Sequence, residues 1–221
     1  MTDDARVVAL VSGGLDSLIL THSLLQSFRE VAPVYVRCGL VWESAELLWL
    51  RRWLHRLAHP QLRDLAVVDM PVRSLYGAHW SLTGRNIPSA NSADASVYLP
   101  GRNALLLTHA AAYGANRDIG QLAIGLLAGN PFGDATPKFF RHLASSLSLA
   151  LGRSVRILTP LRHKTKASLI RAHQALPLAL SFSCLNPQRG LHCGRCNKCA
   201  ERRRGFEAAC MDDPTRYASR S

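Results

Sequence analysis

The strongest constraint on this chain lies at its start. An apolar run over residues 6–11 (RVVALV) reads straight into Ser12-Gly13-Gly14-Leu15-Asp16-Ser17, and residues 18–28 then read as a helix. A strand, a glycine-rich turn and a helix in that order aim successive backbone N–H groups at one point, where the helix N-terminus adds partial positive charge. Gly13 and Gly14 carry no side chain to hold an anion off. Ser12 and Ser17 add hydroxyl donors, and Asp16 offers a carboxylate for a Mg²⁺ riding on bound phosphates. The plain alternative is a tight turn with Asp16 or Ser17 as helix cap. The strand–turn–helix setting argues for the anion site, and the lack of a GKS or GKT sequence separates it from a Walker A loop.

The rest of the chain repeats the alternation. Residues 31–36, 65–70, 121–126 and 155–158 read as further strands. Residues 43–59 form an amphipathic helix with Leu47, Leu50, Leu54 and Leu57 at helical spacing, and residues 102–113, 135–151 and 166–173 read as helices. Thr136 followed by Pro137 is a helix-start signal. Alternating strands and helices predict an α/β fold, a Rossmann-like parallel five-stranded sheet with helices on both faces. Residues 70–100 have no clean period and are expected to be a long functional loop.

Composition enters as a filter. With 48% hydrophobic and 19% charged residues in 221, the chain has enough apolar material for a core and is not disordered. The most apolar stretch, residues 104–115, is broken by His109 and falls short of the ~20 residues of a membrane span. Asp3 and Asp4 stand where a secretion signal would carry Lys or Arg. The expectation is a cytoplasmic protein with reduced thiols and no membrane contact. The net charge of +12 suits polyphosphate ligands and lends weak support to nucleic acid; 23 of the 27 basic residues are Arg, spread along the chain.

Four of the six cysteines cluster late. Cys184, Cys193, Cys196 and Cys199 follow a C-x₈-C-x₂-C-x₂-C pattern, which suits a closed tetrahedral Zn²⁺ site with no open position for catalysis. An Fe–S cluster and a redox pair are the rivals; the missing Pro after the last Cys and the basic Arg195 and Lys198 favour Zn²⁺. Gly194 and Asn197 occupy places where a positive φ would help the turns. His192 is expected to point away from the ion, and Cys38 and Cys210 are expected to be small buried residues.

The hexapeptide Ser12–Ser17 resembles the PP-loop of the adenine-nucleotide alpha hydrolase superfamily, whose members adenylate a carbonyl oxygen and release pyrophosphate. Loop and cysteine pattern together resemble the 7-cyano-7-deazaguanine synthase (QueC/ExsB) family over nearly the whole chain. Tyr98-Leu99-Pro100-Gly101-Arg102-Asn103 is similar to its VPGRN element, and Thr159-Pro160-Leu161 with Thr165-Lys166-Ala167 to its TP…TKAE element. Cys199-Ala200-Glu201-Arg202 matches the helix after the knuckle. Two segments depart. The family's DYSGYPDCRPEF is matched by residues 128–139, with Ala128 for its first Asp and Thr136 for its Arg, while Asp134 keeps an acidic group. Residues 37–43 differ from its GQRH pattern.

The resemblance implies a PP-loop ATP domain over residues 1–176 and a zinc-binding segment over 177–221. It implies a homodimeric ligase that turns 7-carboxy-7-deazaguanine, ammonia and ATP into the nitrile. Val11, Ser12, Gly13, Gly14, Leu15, Asp16, Ser17, Leu18 and Lys166 would hold ATP and pyrophosphate. Asp16, with Mg²⁺, Lys166 and Arg102 would serve catalysis, and Arg102, Asn103 and Asp134 would bind the acceptor. The alternatives are the same chemistry on another deazapurine, a tRNA base or a protein carboxylate, and a non-catalytic zinc-knuckle nucleic-acid binder.

Overall fold

Five short apolar strands form one parallel sheet. They are β1 (Arg6–Leu10), β2 (Glu30–Arg37), β3 (Ala66–Asp69), β4 (Gln121–Ile124) and β5 (Arg156–Leu158), in the order β3-β2-β1-β4-β5. The computed structural model describes residues 5–218; Asp3 and Asp4, which carry the secretion-signal reading, lie outside them. Val8 pairs with Ala32 of β2 and Leu122 of β4, so β1 is central and buried on both sides. Val7 and Ala9 enter one apolar layer, Val8 and Leu10 the other. This is why the strand reads as a continuous hydrophobic run.

One layer is covered by α1 (Leu15–Leu24), α2 (Glu43–Leu57), α7 (Lys166–Ala172) and α8 (Asn197–Ala208), through Leu18, Leu50, Ile170 and Phe206. The other is covered by α5 (Arg102–Ala115) and α6 (Pro137–Leu151), through Leu107, Ala110, Phe140 and Leu147. Gly114 lets α5 settle onto β1: a Cβ there would lie 2.6 Å from Ile119 O and 3.2 Å from Val8 Cγ2. Thr136 caps α6 as its Pro137 signal predicts, accepting from Phe139 N at 3.2 Å.

Residues 70–100 hold more structure than a loop. They contain the one-turn helices α3 (Arg73–Tyr76) and α4 (Trp80–Thr83) and a 3₁₀ turn at Asp94–Val97. Trp80 stacks on Trp42 at 5.7 Å, and Asn197 N donates to Pro88 O at 2.9 Å. The segment is thereby fastened to α2 and to the cysteine segment. Its helices are too short to show a 3.6-residue period, so the sequence hides them. Two further expectations are corrected. Helix α1 begins at Leu15, placing Asp16 and Ser17 in its first turn. Cys210 is exposed, with a φ of +55°, although Cys38 is buried as expected. Among the described residues no helix is long and apolar enough to cross a membrane.

Candidate active site

Strands β1 and β4 lie side by side where the strand order reverses, and the carboxyl ends of such strands open a crevice. The loop after β1 fills it. Gly13 has a φ of +75°, and a Cβ on it would lie 3.2 Å from Glu46 O. Glycine adopts this turn without strain and spares a tight contact with α2. Gly13 therefore faces α2, while Ser12, Gly14, Leu15, Asp16 and Ser17 line the cleft. Ser12 N donates to Ser17 Oγ at 3.2 Å, and Ser17 Oγ donates to Gly14 O at 3.0 Å. Among the described residues no side chain caps α1, so its first turn faces the cleft with N–H groups to offer an anion. Gly125, after β4, closes the far side; a Cβ there would stand 3.2 Å from Asp16 O. Val11 lines an adjoining recess, and Leu18 is core.

Lys166, the first residue of α7, reaches across this loop. Its Nζ lies 3.4 Å from Asp16 Oδ2 and contacts Glu201 Oε1 of α8. Lys198 Nζ sits 2.5 Å from the other Glu201 oxygen. Burial pulls the Lys166 ammonium down, but Asp16 and Glu201 outweigh it and its pKa is raised. Burial pushes the Glu201 carboxyl up, yet the two lysines bring it to about 2. Lys166 and Glu201 are thus both held in their charged forms. Asp16 Oδ1 is buried and has no hydrogen-bond partner among the described residues, the state expected of a ligand for a bound cation.

Arg102 opens α5 on the opposite wall, its Nε buried and unpartnered among the described residues. Beneath it, Glu46 is buried in α2 and accepts from Tyr35 Oη at 2.6 Å. Burial raises the Glu46 carboxyl to about 8, against the pull of Tyr35 and Arg102. Glu43 accepts from the N–H groups of Cys38 and Gly39 at 2.7 and 2.8 Å and fixes the turn before α2. Asn103 lines the adjoining recess. Its N–H and Nδ2 donate to Asp134 Oδ2 and O, both at 3.0 Å, so the Asp134 carboxylate faces the start of α5.

The four cysteines converge as their spacing predicts. Their sulfurs all lie within 4.8 Å of one another, with close pairs at 3.5, 3.9 and 4.0 Å. Four thiolates 2.3 Å from one ion at tetrahedral corners would be about 3.8 Å apart, so the set fits a tetrahedral metal. The N–H groups of Cys193, Asn186 and Leu185 point at sulfurs from 3.2 to 3.4 Å, as suits thiolates. Gly194 has the expected positive φ, +81°, whereas Asn197 is helical and donates to Ser92 O at 2.9 Å. His192 is not in the cluster. Its Nε2 accepts from Ser183 N at 3.2 Å, and burial drops its pKa to about 3, so it stays neutral.

A second cleft opens beside the first. Ala128 and Phe132 line it with Asp94 and Arg204, and Asp16, Lys166, Lys198 and Glu201 belong to both. Of the departures from the family pattern, Ala128 therefore faces this space, whereas Thr136 is spent on capping α6. Sequence reasoning missed Glu46, Lys198 and Glu201 as site residues. The position of Glu201 two residues after Cys199 was the available signal, because whatever aims the cysteines also aims this helix turn.

The profile of the family described as "Queuosine biosynthesis protein QueC" matches residues 6–210. The chain is 32% identical over 206 residues to the 7-cyano-7-deazaguanine synthase 1 of Desulfitobacterium hafniense, covering 91% of each chain. It is 28% identical over 225 residues to the 7-cyano-7-deazaguanine synthase of Methanothermobacter thermautotrophicus, covering 96% of this chain and 99% of the relative. A 4-thiouridine synthetase, solved in complex with RNA and with bound ATP, shares the fold with a TM-score of 0.53 at 14% identity, over 93% of this chain and 50% of that one. The U34-tRNA thiolase NcsA from Methanococcus maripaludis, solved with its 4Fe-4S cluster, does so with a TM-score of 0.51 at 12% identity, over 86% and 63%. That profile spans the loop after β1, all five strands and the four cysteines, and this chain belongs to the QueC family of queuosine biosynthesis proteins.

Proposed function

We propose that the chain is an ATP-dependent carbon–nitrogen ligase that converts 7-carboxy-7-deazaguanine and ammonia into 7-cyano-7-deazaguanine. The observation that carries the reading is Lys166, held between Asp16 in the first turn of α1 and Glu201 of α8, beside a helix start that no side chain caps among the described residues. That is an anion site with a positioned cation beside it, as transfer of an adenylyl group requires.

The acceptor carboxylate attacks the α-phosphorus of ATP and pyrophosphate leaves. Ammonia attacks the acyl carbon, and AMP departs with the former carboxylate oxygen. The amide oxygen repeats the attack on a second ATP, and loss of AMP and the amide protons leaves the nitrile. Ser12, Gly14, Ser17 and the first turn of α1 hold the leaving pyrophosphate, and Lys166 offsets its charge. Asp16 would hold Mg²⁺, which supplies charge neutralisation on the phosphates. Arg102 offers its unpartnered Nε to an oxyanion. Asp134 acts through Asn103, not on the acceptor itself. Cys184, Cys193, Cys196 and Cys199 would hold a structural Zn²⁺, which would crosslink the segment that carries Lys198 and Glu201. The cytoplasm, which keeps thiols reduced, suits this centre, and a homodimer is part of the same reading.

The test is turnover with purified protein, Mg²⁺, ATP and ammonia, with and without 7-carboxy-7-deazaguanine, with products read by mass spectrometry. Nitrile, AMP and pyrophosphate are expected only with the acceptor. ATP binding without nitrile would contradict the acceptor and favour a second reading, the same chemistry on another carboxylate. Ala128, where the resemblance places an Asp, lines the second cleft and supports that reading.

A further inference from the structure

Helix α8 carries an arrangement that metal binding and core packing leave unexplained. Gly205 lies inside it, where glycine weakens a helix. A Cβ at Gly205 would lie 2.9 Å from Lys166 Cγ and 3.0 Å from Lys166 Cδ. Glu201 is one turn earlier on the same face. Its two oxygens each take one ammonium, Lys166 on Oε1 and Lys198 on Oε2. So α8 clears a path for the Lys166 stem and anchors its head. This anchor stands among the residues shared by the two clefts.

We propose that Glu201 is a positioning residue: with Gly205 it lays Lys166 and Lys198 side by side at the boundary of the two clefts, where the α-phosphate and the attacking carboxylate meet. The proposal rests on reading the loop cleft as a triphosphate site. A carboxylate there repels the polyanion it serves, so it weakens ground-state binding. What it contributes is the location of two flexible ammonium groups, whose stems have four rotatable bonds each. Positioning of that kind acts on the rate of the chemical step.

The expected signature is a split between kcat and KM. Glu201→Gln keeps the size of the side chain and removes its charge. It is expected to lower kcat for AMP formation by about tenfold or more while KM for ATP stays equal or falls. Calorimetric affinity for MgATP stays equal or tightens. Gly205→Ala, which puts a Cβ 2.9 Å from Lys166 Cγ and displaces the stem, is expected to lower kcat without lowering metal content. Three results would overturn the proposal: Glu201→Gln with kcat within about twofold of the parent, weaker MgATP binding in step with kcat, or loss of metal and Tm accounting for the defect. If the parent protein binds MgATP but forms no nitrile, the acceptor reading fails, while weaker MgATP binding by Glu201→Gln still overturns the role of Glu201 and tighter binding still supports it. If it does not bind MgATP, both fall.

Discussion

The two walls of the cleft are built by different physics. The loop wall is backbone geometry: one positive-φ glycine, an uncapped helix start and two hydroxyls, set on a strand buried on both faces. The α8 wall is charge: Lys198 and Glu201 on a helix that carries Cys199 of the cysteine cluster, with Lys166 reaching in from α7. The loop wall is held in place by the sheet. The α8 wall stands on the cysteine cluster and on one buried arginine, Arg202. The fixed donors of one wall are on the main chain, while the cations of the other are on long side chains with a common anchor, Glu201.

The largest expected effect breaks the α8 wall alone. Metal binding by four thiolates contributes on the order of 10 kcal/mol to the segment that holds it. Chelation, or Cys196→Ser, is expected to abolish turnover and to raise hydrogen exchange across residues 184–208 while β1 and α1 stay protected. Equal loss of protection in both regions would show that the walls are not independent.

Arg202 gives the next effect. It is 2% exposed, and its guanidinium donates to Ser181 Oγ at 2.6 Å and Leu178 O at 3.0 Å. Arg202→Ala removes these bonds, and urea unfolding should register a loss of about 3–5 kcal/mol, the range for breaking a buried charged network.

Glu46 tests the loop wall from beneath. Burial holds its carboxyl near 8, while the unfolded chain releases that proton near 4.5. The folded form thus binds the extra proton between those values, so this contribution to stability is present below about 4.5 and is lost as pH rises towards about 8. The slope is at most about 1.4 kcal/mol per pH unit. Glu46→Gln, which can still accept from Tyr35, is expected to flatten the stability profile in that window; an unchanged profile would refute the assignment. The smallest effect is Gly13→Ala, about 1–2 kcal/mol for a Cβ in the left-handed region. It should weaken ATP binding while leaving metal content untouched.

Legibility in the sequence follows the same division. The loop wall is readable because strand, glycines and helix are contiguous and each residue type has one local reason to be there. The cysteine centre is readable because its spacing is short. Glu201 and Lys198 are hidden because their meaning depends on Lys166, far away in the chain and brought close only by the packing of α7 on α8. The tie between Asp134 and Asn103 is hidden for the same reason: the two are far apart in the chain, and only the fold brings the Asp134 carboxylate to the start of α5. In residues 70–100 the helices are single turns, shorter than the period that would reveal them.

The central claim is that a carboxylate attacks the α-phosphorus of ATP in this cleft. The most direct measurement follows the oxygen of a heavy-oxygen-labelled 7-carboxy-7-deazaguanine through turnover. The account predicts that the label appears in AMP, with unlabelled pyrophosphate. Label in inorganic phosphate, with ADP as the nucleotide product, would place the attack at the γ-phosphorus and contradict it.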